Sequence, residues 1–285
     1  MNIALVTYSG EGATEDIRLQ QYLQDKGLRV TYEIWNNPAV NWRAYDAVVL
    51  KSPWDYFDKI APFRAWLEQL EKEQVPVLNP IEIVRWNLDK KYLLDIETAG
   101  FAIVPTCIIP QHGQFEAASY FEEWQTDKIL IKPAISGGAK NTFPISKTEE
   151  EQYTGRVNKL LKTETLLVQP FMPEIQTEGE WSLVFFDGSF SHCVLKTAQS
   201  GDYRVQHFFG GEITPISPAA FLLDYGQKLV QQFAPSCLYA RVDGLVSNGA
   251  FKLMELELIE PLLYLQEDEA LYGNYYRALK SLLQL

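Results

Sequence analysis

Cysteine, histidine and methionine are scarce: the 285-residue chain holds three of each. Cys107, Cys193 and Cys237 are widely spaced and follow no metal-ligand pattern. That excludes a zinc module or a disulfide framework and reads as reduced, mostly buried thiols. His112, His192 and His207 are scattered, so neither a Ser-His nor a Cys-His constellation for nucleophilic catalysis is visible. Positive charge is also short: 25 Lys and Arg against 37 Asp and Glu leave a net charge of −12. This argues against nucleic acid or an anionic membrane as the main partner. An acidic protein that binds a polyanion has to concentrate its few cations locally, so single Lys and Arg positions carry information. No apolar run reaches the length of a membrane span, and Met1 to Tyr8 is too short for a signal sequence, so the expectation is a cytoplasmic protein. Internal repeats and low-complexity segments are missing too. What is present is ordinary for a soluble globular chain: 47% hydrophobic and 22% charged residues, at a length that predicts two or three subdomains.

Leu238 to Pro261 is the most informative stretch. Leu238-Tyr-Ala-Arg-Val-Asp-Gly-Leu and Phe251-Lys-Leu-Met-Glu-Leu-Glu-Leu-Ile both alternate with a period of two, as half-buried strands do. Leu238, Ala240 and Val242 face one way, and Tyr239, Arg241 and Asp243 the other. On the second arm Phe251, Leu253, Glu255, Glu257 and Ile259 share a face. Asn248-Gly249 signals a hairpin. A strict two-residue turn sets Asp243 opposite Met254, with the acids on opposite faces. A loop with an odd residue count, such as three residues with Gly249 left-handed, sets Asp243 opposite Glu255 and Arg241 opposite Glu257. The second register suits a Mg2+ site, in which a few carboxylates share the ion with water and phosphate oxygens. The alternatives are salt-bridged glutamates at a sheet edge, or a Glu-rich helix ending before Pro261.

Upstream, strands at Asn2–Tyr8, Leu28–Ile34 and Ala47–Leu50 and a helix from Thr14 to Lys26 make a βαβ start. Gly10 and Gly12 lack the third glycine of a dinucleotide fingerprint and read as a turn. Lys51-Ser-Pro-Trp-Asp-Tyr56 follows a strand end, the edge at which open α/β sheets bind ligands. There Trp54 and Tyr56 offer an apolar wall and Asp55 a contact for a substrate amine; a helix cap followed by core aromatics is the equal alternative. A helix from Lys59 to Glu73 and a strand Val75–Leu78 close this unit, and Asn79-Pro80 marks a boundary. Next, Asn87 or Asp89 caps a helix running to Gly100. Thr106–Ile109 and Lys128–Pro133 are strands, Phe115–Gln125 and Glu149–Leu161 helices. Lys132, inside an apolar strand, needs an anion, and Ser136-Gly137-Gly138 offers backbone N–H groups to phosphate oxygens, without the Gly-Lys-Ser/Thr of a Walker loop. Otherwise Lys132 is a strand-end lysine reaching solvent. The strand Leu166–Gln169 is broken by Pro170-Phe-Met-Pro173, whose open backbone edge suits an adenine ring. Gly179–Phe186 and Ser189–Lys196 pair through Asp187-Gly188. Arg204, in the loop Gly201-Asp-Tyr-Arg-Val205, is either paired with Asp202 at the surface or a catalytic electrophile; an aromatic-rich strand follows. Pro218–Phe233 and Gly273–Leu285 are helices.

Taken in order, Asn87-Leu-Asp-Lys90, Ile129-Leu-Ile-Lys132-Pro with Ser136-Gly-Gly138, Val168-Gln169-Pro-Phe-Met172, Gly179-Glu180-x-Ser182, Arg204, and Arg241-x-Asp243 with Glu255-x-Glu257 resemble the ATP-grasp superfamily. These are the carboxylate–amine ligases typified by glutathione synthetase and D-alanine–D-alanine ligase. The resemblance spans about Trp86 to Leu265; Trp54-Asp-Tyr and Glu255-Leu-Glu-Leu-Ile-Glu-Pro261 look most similar to the branch that holds the D-cycloserine-forming ligase.

The resemblance implies an α/β (α+β ATP-grasp) fold. An N-terminal parallel α/β domain (1–82) is followed by a small ATP-grasp subdomain (83–170) and a C-terminal one with the metal site (171–285), the last two clamping ATP. Lys90, or its neighbour Lys91, and Lys132 would contact the nucleotide, with Ser136, Gly137 and Gly138 over its phosphates. Gln169, Phe171 and Met172 would hold adenine, and Glu180 the ribose or a phosphate-side metal network. Lys196 and Arg204 would face the γ-phosphate and substrate. Asp243, Glu255 and Glu257 would hold one or two Mg2+ ions, or Mn2+. Many relatives carry Asn at the position of Glu257, an extra charge that Arg241, grouped with the catalytic cations, offsets. The first domain matches glutathione synthetase poorly, so substrate identity does not carry over. The implied activity is ATP-dependent ligation of a small-molecule carboxylate and an amine through an acyl phosphate, in a monomer or homodimer. The alternatives are a kinase of the same fold acting on a small-molecule hydroxyl, and a nucleotide-binding protein without catalysis.

Overall fold

The structure, a computed structural model, describes residues 1–10, 12–199, 204–205 and 210–284. In the first sheet β1 (Asn2–Thr7), β2 (Arg29–Ile34), β3 (Ala47–Ser52) and β4 (Val77–Leu78) run parallel in the order β2-β1-β3-β4, with α1 (Thr14–Asp25) and α2 (Ile60–Lys72) as crossovers. The continuous apolar runs Ile3 to Val6 and Ala47 to Leu50 are fully buried, as a parallel sheet covered on both faces requires. β3 continues past its expected end into Lys51. The ammonium is buried and neutralised by Glu15 (3.0 Å) and Asp16 (2.9 Å) of α1, since a buried charge persists only when paired.

Two short helices follow, α3 (Ile81–Asn87) and α4 (Tyr92–Thr98). Asn87 is not a helix cap: its buried amide donates to the Leu256 carbonyl (2.8 Å) and accepts from the Leu258 N–H (3.1 Å). Asp89 takes the turn position instead, accepting from the Lys91 N–H at 3.0 Å. The second sheet is antiparallel, order β5-β8-β6-β7, from β5 (Cys107–Ile109), β6 (Lys128–Pro133), β7 (Phe143–Ser146) and β8 (Leu166–Pro170). Phe121 of α5 (Ala117–Glu123) and Val157 of α6 (Glu150–Leu160) share its core with Ile129, Ile131 and Val168. The sequence reading has no strand at β7. Pro144 within it hides the signal, and an edge strand is where a proline is tolerated.

The third sheet is antiparallel, order β11-β10-β9-β12-β13. Its parts are α7 (Glu174–Thr177), β9 (Glu180–Phe186), β10 (Ser189–Thr197), β11 (Glu212–Pro215), α8 (Ala220–Phe233), β12 (Tyr239–Ser247), β13 (Ala250–Glu257) and α9 (Glu269–Leu283). Alternation along β9 sends Leu183 and Phe185 to the core shared with α8, and Val184 and Phe186 to the core shared with α9. α9 begins four residues before the expected Gly273 because Asp268 caps it, accepting from the Ala270 N–H at 2.8 Å.

The β12–β13 hairpin settles the register. Asn248 (φ +54°) and Gly249 (φ +75°) form the tight two-residue turn, with Ser247 opposite Ala250. Asp243 nevertheless lies opposite Glu255 and Arg241 opposite Glu257, because Met254 is bulged out between them. The extra residue sits in the strand and not in the turn. It also corrects the expected faces: Phe251 and Leu253 share their core with Leu256 and Leu258, not a face with Glu255 and Glu257.

Asn79, expected to mark a boundary, is also a tie. Fully buried at φ +67°, it donates to the carbonyls of Tyr239 (2.9 Å) and Leu258 (2.7 Å) and accepts from the Tyr239 N–H (3.3 Å). The first and third sheets share one core, in which Ile3, Leu5 and Val49 meet Val184, Tyr239 and Tyr275. Among the described residues no helix is long and apolar enough to cross a membrane.

Candidate active site

A cavity of about 460 Å³ opens among the three sheets. β12 and β13 line it with Arg241, Asp243, Glu255 and Glu257; β9 and β10 with Glu180 and Lys196; β6 and β8 with Lys132 and Gln169. Lys90 enters from the turn before α4, and Ser136, Gly137 and Gly138 from the loop after β6. Phe171, Met172 and Arg204 complete the set expected around a nucleotide, and Trp54 and Tyr56 the aromatic wall. Gly201, Asp202, Tyr203 and the expected strand at 206–209 lie outside the described residues, and with them the surface pairing of Arg204.

Burial fixes how these charges pair. Asp243 receives Arg241 through Nε (3.0 Å) and Nη2 (2.7 Å), the Ser182 hydroxyl, and Lys196 at 3.7 Å. Burial raises its carboxyl, but Arg241 and then Lys196 outweigh that and hold it below the usual range. Glu255 sits 3.0 Å from the Lys132 ammonium and 3.8 Å from that of Lys90, which again outweigh burial and lower it. Glu257 pairs with Arg241 at 2.6 Å. Here burial wins, helped by Asp243 and Glu255, and the carboxyl is pushed up to about 7. Glu180 pairs with Lys196 at 2.8 Å, and burial raises it too. Cations therefore occupy the gaps between the acids. Among the described residues no three His, Cys, Asp or Glu side chains are arranged to hold a metal.

The remaining expected residues divide. Lys90 donates to the Ser136 carbonyl (2.8 Å), within the cavity lining, whereas Lys91 is half exposed beside Asp89 (3.5 Å). Asp55 is not in the cavity wall: it accepts from the Trp35 indole (2.7 Å) and pairs with Lys59, so it does not face a substrate amine. The Phe171 N–H, expected to be open, is taken by the Lys128 carbonyl (2.9 Å), and the Lys128 ammonium lies 4.0 Å over the Phe171 ring. Gln169 is buried and donates to the Thr106 hydroxyl (2.8 Å). Arg241 is engaged on every side, its Nη1 donating to the Leu262 carbonyl (2.8 Å).

Tyr8, Glu260 and Tyr264 are among the lining residues that the sequence did not mark as site residues. Glu260 had a signal, an acid placed just before Pro261 at the end of an apolar strand. Tyr264 had none; its left-handed backbone (φ +52°) is invisible in sequence.

Known proteins resemble this chain in sequence and fold. A family model described as the N-terminal domain of D-cycloserine synthetase DcsG matches residues 3–79. The cycloserine biosynthesis protein DcsG of Streptomyces lavendulae is 28% identical over 263 residues, 85% of this chain and 86% of that protein. The crystal structure of D-cycloserine synthetase DcsG superposes with a TM-score of 0.88 at 25% identity, covering 99% of this chain and 100% of that one. D-alanine–D-alanine ligase from Bacillus anthracis superposes at 0.71 with 12% identity, covering 100% and 97%, a likeness of fold. With the convergent lysines and acids of the cavity, these likenesses make the chain an ATP-dependent ligase of the ATP-grasp fold, one that forms a carbon–nitrogen bond.

Proposed function

We propose that the enzyme activates the carboxylate of a small amino acid as an acyl phosphate, and that a nitrogen of the same molecule then closes a ring of the D-cycloserine type. The observation that carries this reading is the meeting of Lys90, Lys132 and Arg204 with Asp243, Glu255 and Glu257 in one cavity walled by Trp54 and Tyr56. The likeness to D-cycloserine synthetase supplies the product class. A substrate carboxylate oxygen attacks the γ-phosphorus, the bond to the β-phosphate oxygen breaks and ADP leaves. The nitrogen then attacks the acyl carbon, the C–O bond to phosphate breaks, phosphate leaves, and the nitrogen loses a proton. Little covalent chemistry falls to the protein, so positioning and charge stabilisation supply the acceleration.

In this reading Lys132 and Lys90 turn from Glu255 to the nucleotide phosphates, with backbone N–H groups of Ser136, Gly137 and Gly138 beside them. Gln169, Phe171 and Met172 enclose adenine, and Glu180 reaches the ribose. Lys196 and Arg204 face the transferring phosphoryl group. Arg241, committed to Asp243 and Glu257, positions the acids instead of touching substrate. Asp243, Glu255 and Glu257 carry the carboxylate oxygens that a hard divalent cation takes, but Arg241 and Lys132 now hold them apart, so the ion would have to draw them together as those cations turn away. One or two Mg2+ ions, or Mn2+, held there would neutralise phosphate charge. Residues 83–170 and 171–285 would close on the nucleotide and residues 1–82 on the substrate.

The test is ADP and phosphate release against O-amino derivatives of serine and against separate carboxylate and amine pools, with products read by mass spectrometry. A dehydrated cyclic product is expected. A stable phosphoester would show a kinase instead, and an open-chain amide would remove the ring closure.

A further inference from the structure

Between β13 and α9 the chain has no regular structure, yet each carbonyl from Glu260 to Leu263 has a side-chain partner. Trp54 Nε1 donates to Glu260 (3.1 Å), Lys51 Nζ to Pro261 (3.3 Å), Arg241 Nη1 to Leu262 (2.8 Å) and His192 Nε2 to Leu263 (2.7 Å). Glu15 accepts from the N–H groups of Leu263 and Leu265, both at 2.9 Å. Tyr264, between them, is held in the left-handed region at φ +52°, costly for a tyrosine. A segment fixed from so many directions fixes the side chains it sends into the cavity, Glu260 and Tyr264.

Glu260 differs from the other acids there. Glu180, Asp243, Glu255 and Glu257 each have a lysine or arginine within 4.0 Å; among the described residues Glu260 has none. Its carboxyl lies beside the Tyr56 hydroxyl, and Trp54, which holds its carbonyl, lies 6.1 Å from the Tyr8 ring. An acid beside Tyr56, with no cation within 4.0 Å and only the more distant Lys90 charge acting on it, has room to take a cation from outside. Burial, with Glu257 nearby, pushes the carboxyl up to about 8, so an arriving positive charge is what favours its ionised form.

We propose that Glu260, with Tyr56 beside it, receives the ammonium group of the amino-acid substrate and selects substrates that carry one. This rests on the ligase reading above. It is tested by calorimetry in the presence of ADP, with D-cycloserine and the same ring lacking its amine as probes. The wild-type enzyme is expected to bind the amine-bearing ring about 10-fold or more tightly, and Glu260→Gln to abolish that preference while ADP affinity is kept. Tyr56→Phe is expected to reduce the preference in part. In turnover, Glu260→Gln should raise KM for the amino acid and leave KM for ATP in place. Equal wild-type affinity for the two rings, or a preference that survives Glu260→Gln, overturns the proposal. If the glutamine variant fails to fold, the wild-type comparison and Tyr56→Phe still decide. Failure of the ligase reading looks different: the wild-type enzyme would then release no ADP, or release ADP with a stable phosphoester and no free phosphate.

Discussion

A lysine in an apolar strand is costly to keep without an anion, and Lys132 shows how the cost is met: its ammonium lies against Glu255 at 3.0 Å. With phosphate as the competing partner, Lys132→Ala should weaken ATP binding on the order of 10-fold or more, an effect calorimetry reads directly. Unchanged affinity would return Lys132 to a purely structural pairing. Arg204 belongs to the transition state, so Arg204→Ala should lower kcat by on the order of 100-fold with a smaller change in ATP affinity, and Arg204→Lys should recover part, lacking the planar fork. Wild-type turnover in the alanine variant would sink that role. Glu260 sets a pH dependence. Its folded pKa, about 8, lies above the ordinary glutamate value, so its contribution to stability is full below that ordinary value and is lost as pH rises through about 8. Ligand-free protein should lose on the order of a few kcal/mol over that window, and Glu260→Gln should flatten the curve in denaturant titrations. A curve equally steep in the variant would exclude Glu260 as its source. At this scale the sequence was readable wherever a charge stood inside an apolar pattern, as at Lys132, Asp243 and Glu255. It misled at Asp55, whose partner, the Trp35 indole, is a matter of tertiary packing that no local pattern encodes.

The β12–β13 hairpin depends on one surplus residue. With Met254 bulged, Leu253 and Leu256 both reach the core while Glu255 stays in the cavity. Gly244 lies at the shift, where an added Cβ would meet the Lys252 carbonyl oxygen at 2.4 Å and the Phe251 ring at 2.4 Å. Gly244→Ala should therefore cost about 1–3 kcal/mol in chemical denaturation, with loss of metal-dependent turnover if the register slips. Gly249→Ala meets no neighbour within 4 Å and should cost only the left-handed strain of φ +75°, on the order of 1 kcal/mol. A reversed ranking would mean that the bulge tolerates a side chain. Period-two alternation made both strands visible in the sequence, and the Asn-Gly turn is formed as its residues require. The bulge was not visible, because it is decided by which face of the neighbouring sheet is apolar. β7 was hidden for the opposite reason: its local signal is weakened by Pro144, and only its place at an edge permits it.

Across the whole molecule, the sheets are joined by side chains that reach far along the chain. Asn79 bonds Tyr239 and Leu258, 160 and 179 residues away. Asn79→Ala should cost about 2–4 kcal/mol, since it leaves buried backbone groups unpaired, and Asn79→Gly should cost nearly as much although it relaxes the backbone. A loss below about 0.5 kcal/mol in either would show that water replaces the amide. Length and composition announced several subdomains but not that the first and third sheets share a core, because such contacts have no sequence periodicity. The same sharing reaches the substrate cavity. The segment that presents Glu260 is gripped by Glu15, Lys51 and Trp54 from the opposite end of the chain. This part of the cavity wall thus joins residues before 60 to residues near 260. A recombinant that imports residues 1–79 from a relative of different substrate preference would carry the grip without the segment it was fitted to. Preference should transfer only when the crossover brings residues 260–266 along, which makes the two stretches one heritable unit despite their separation.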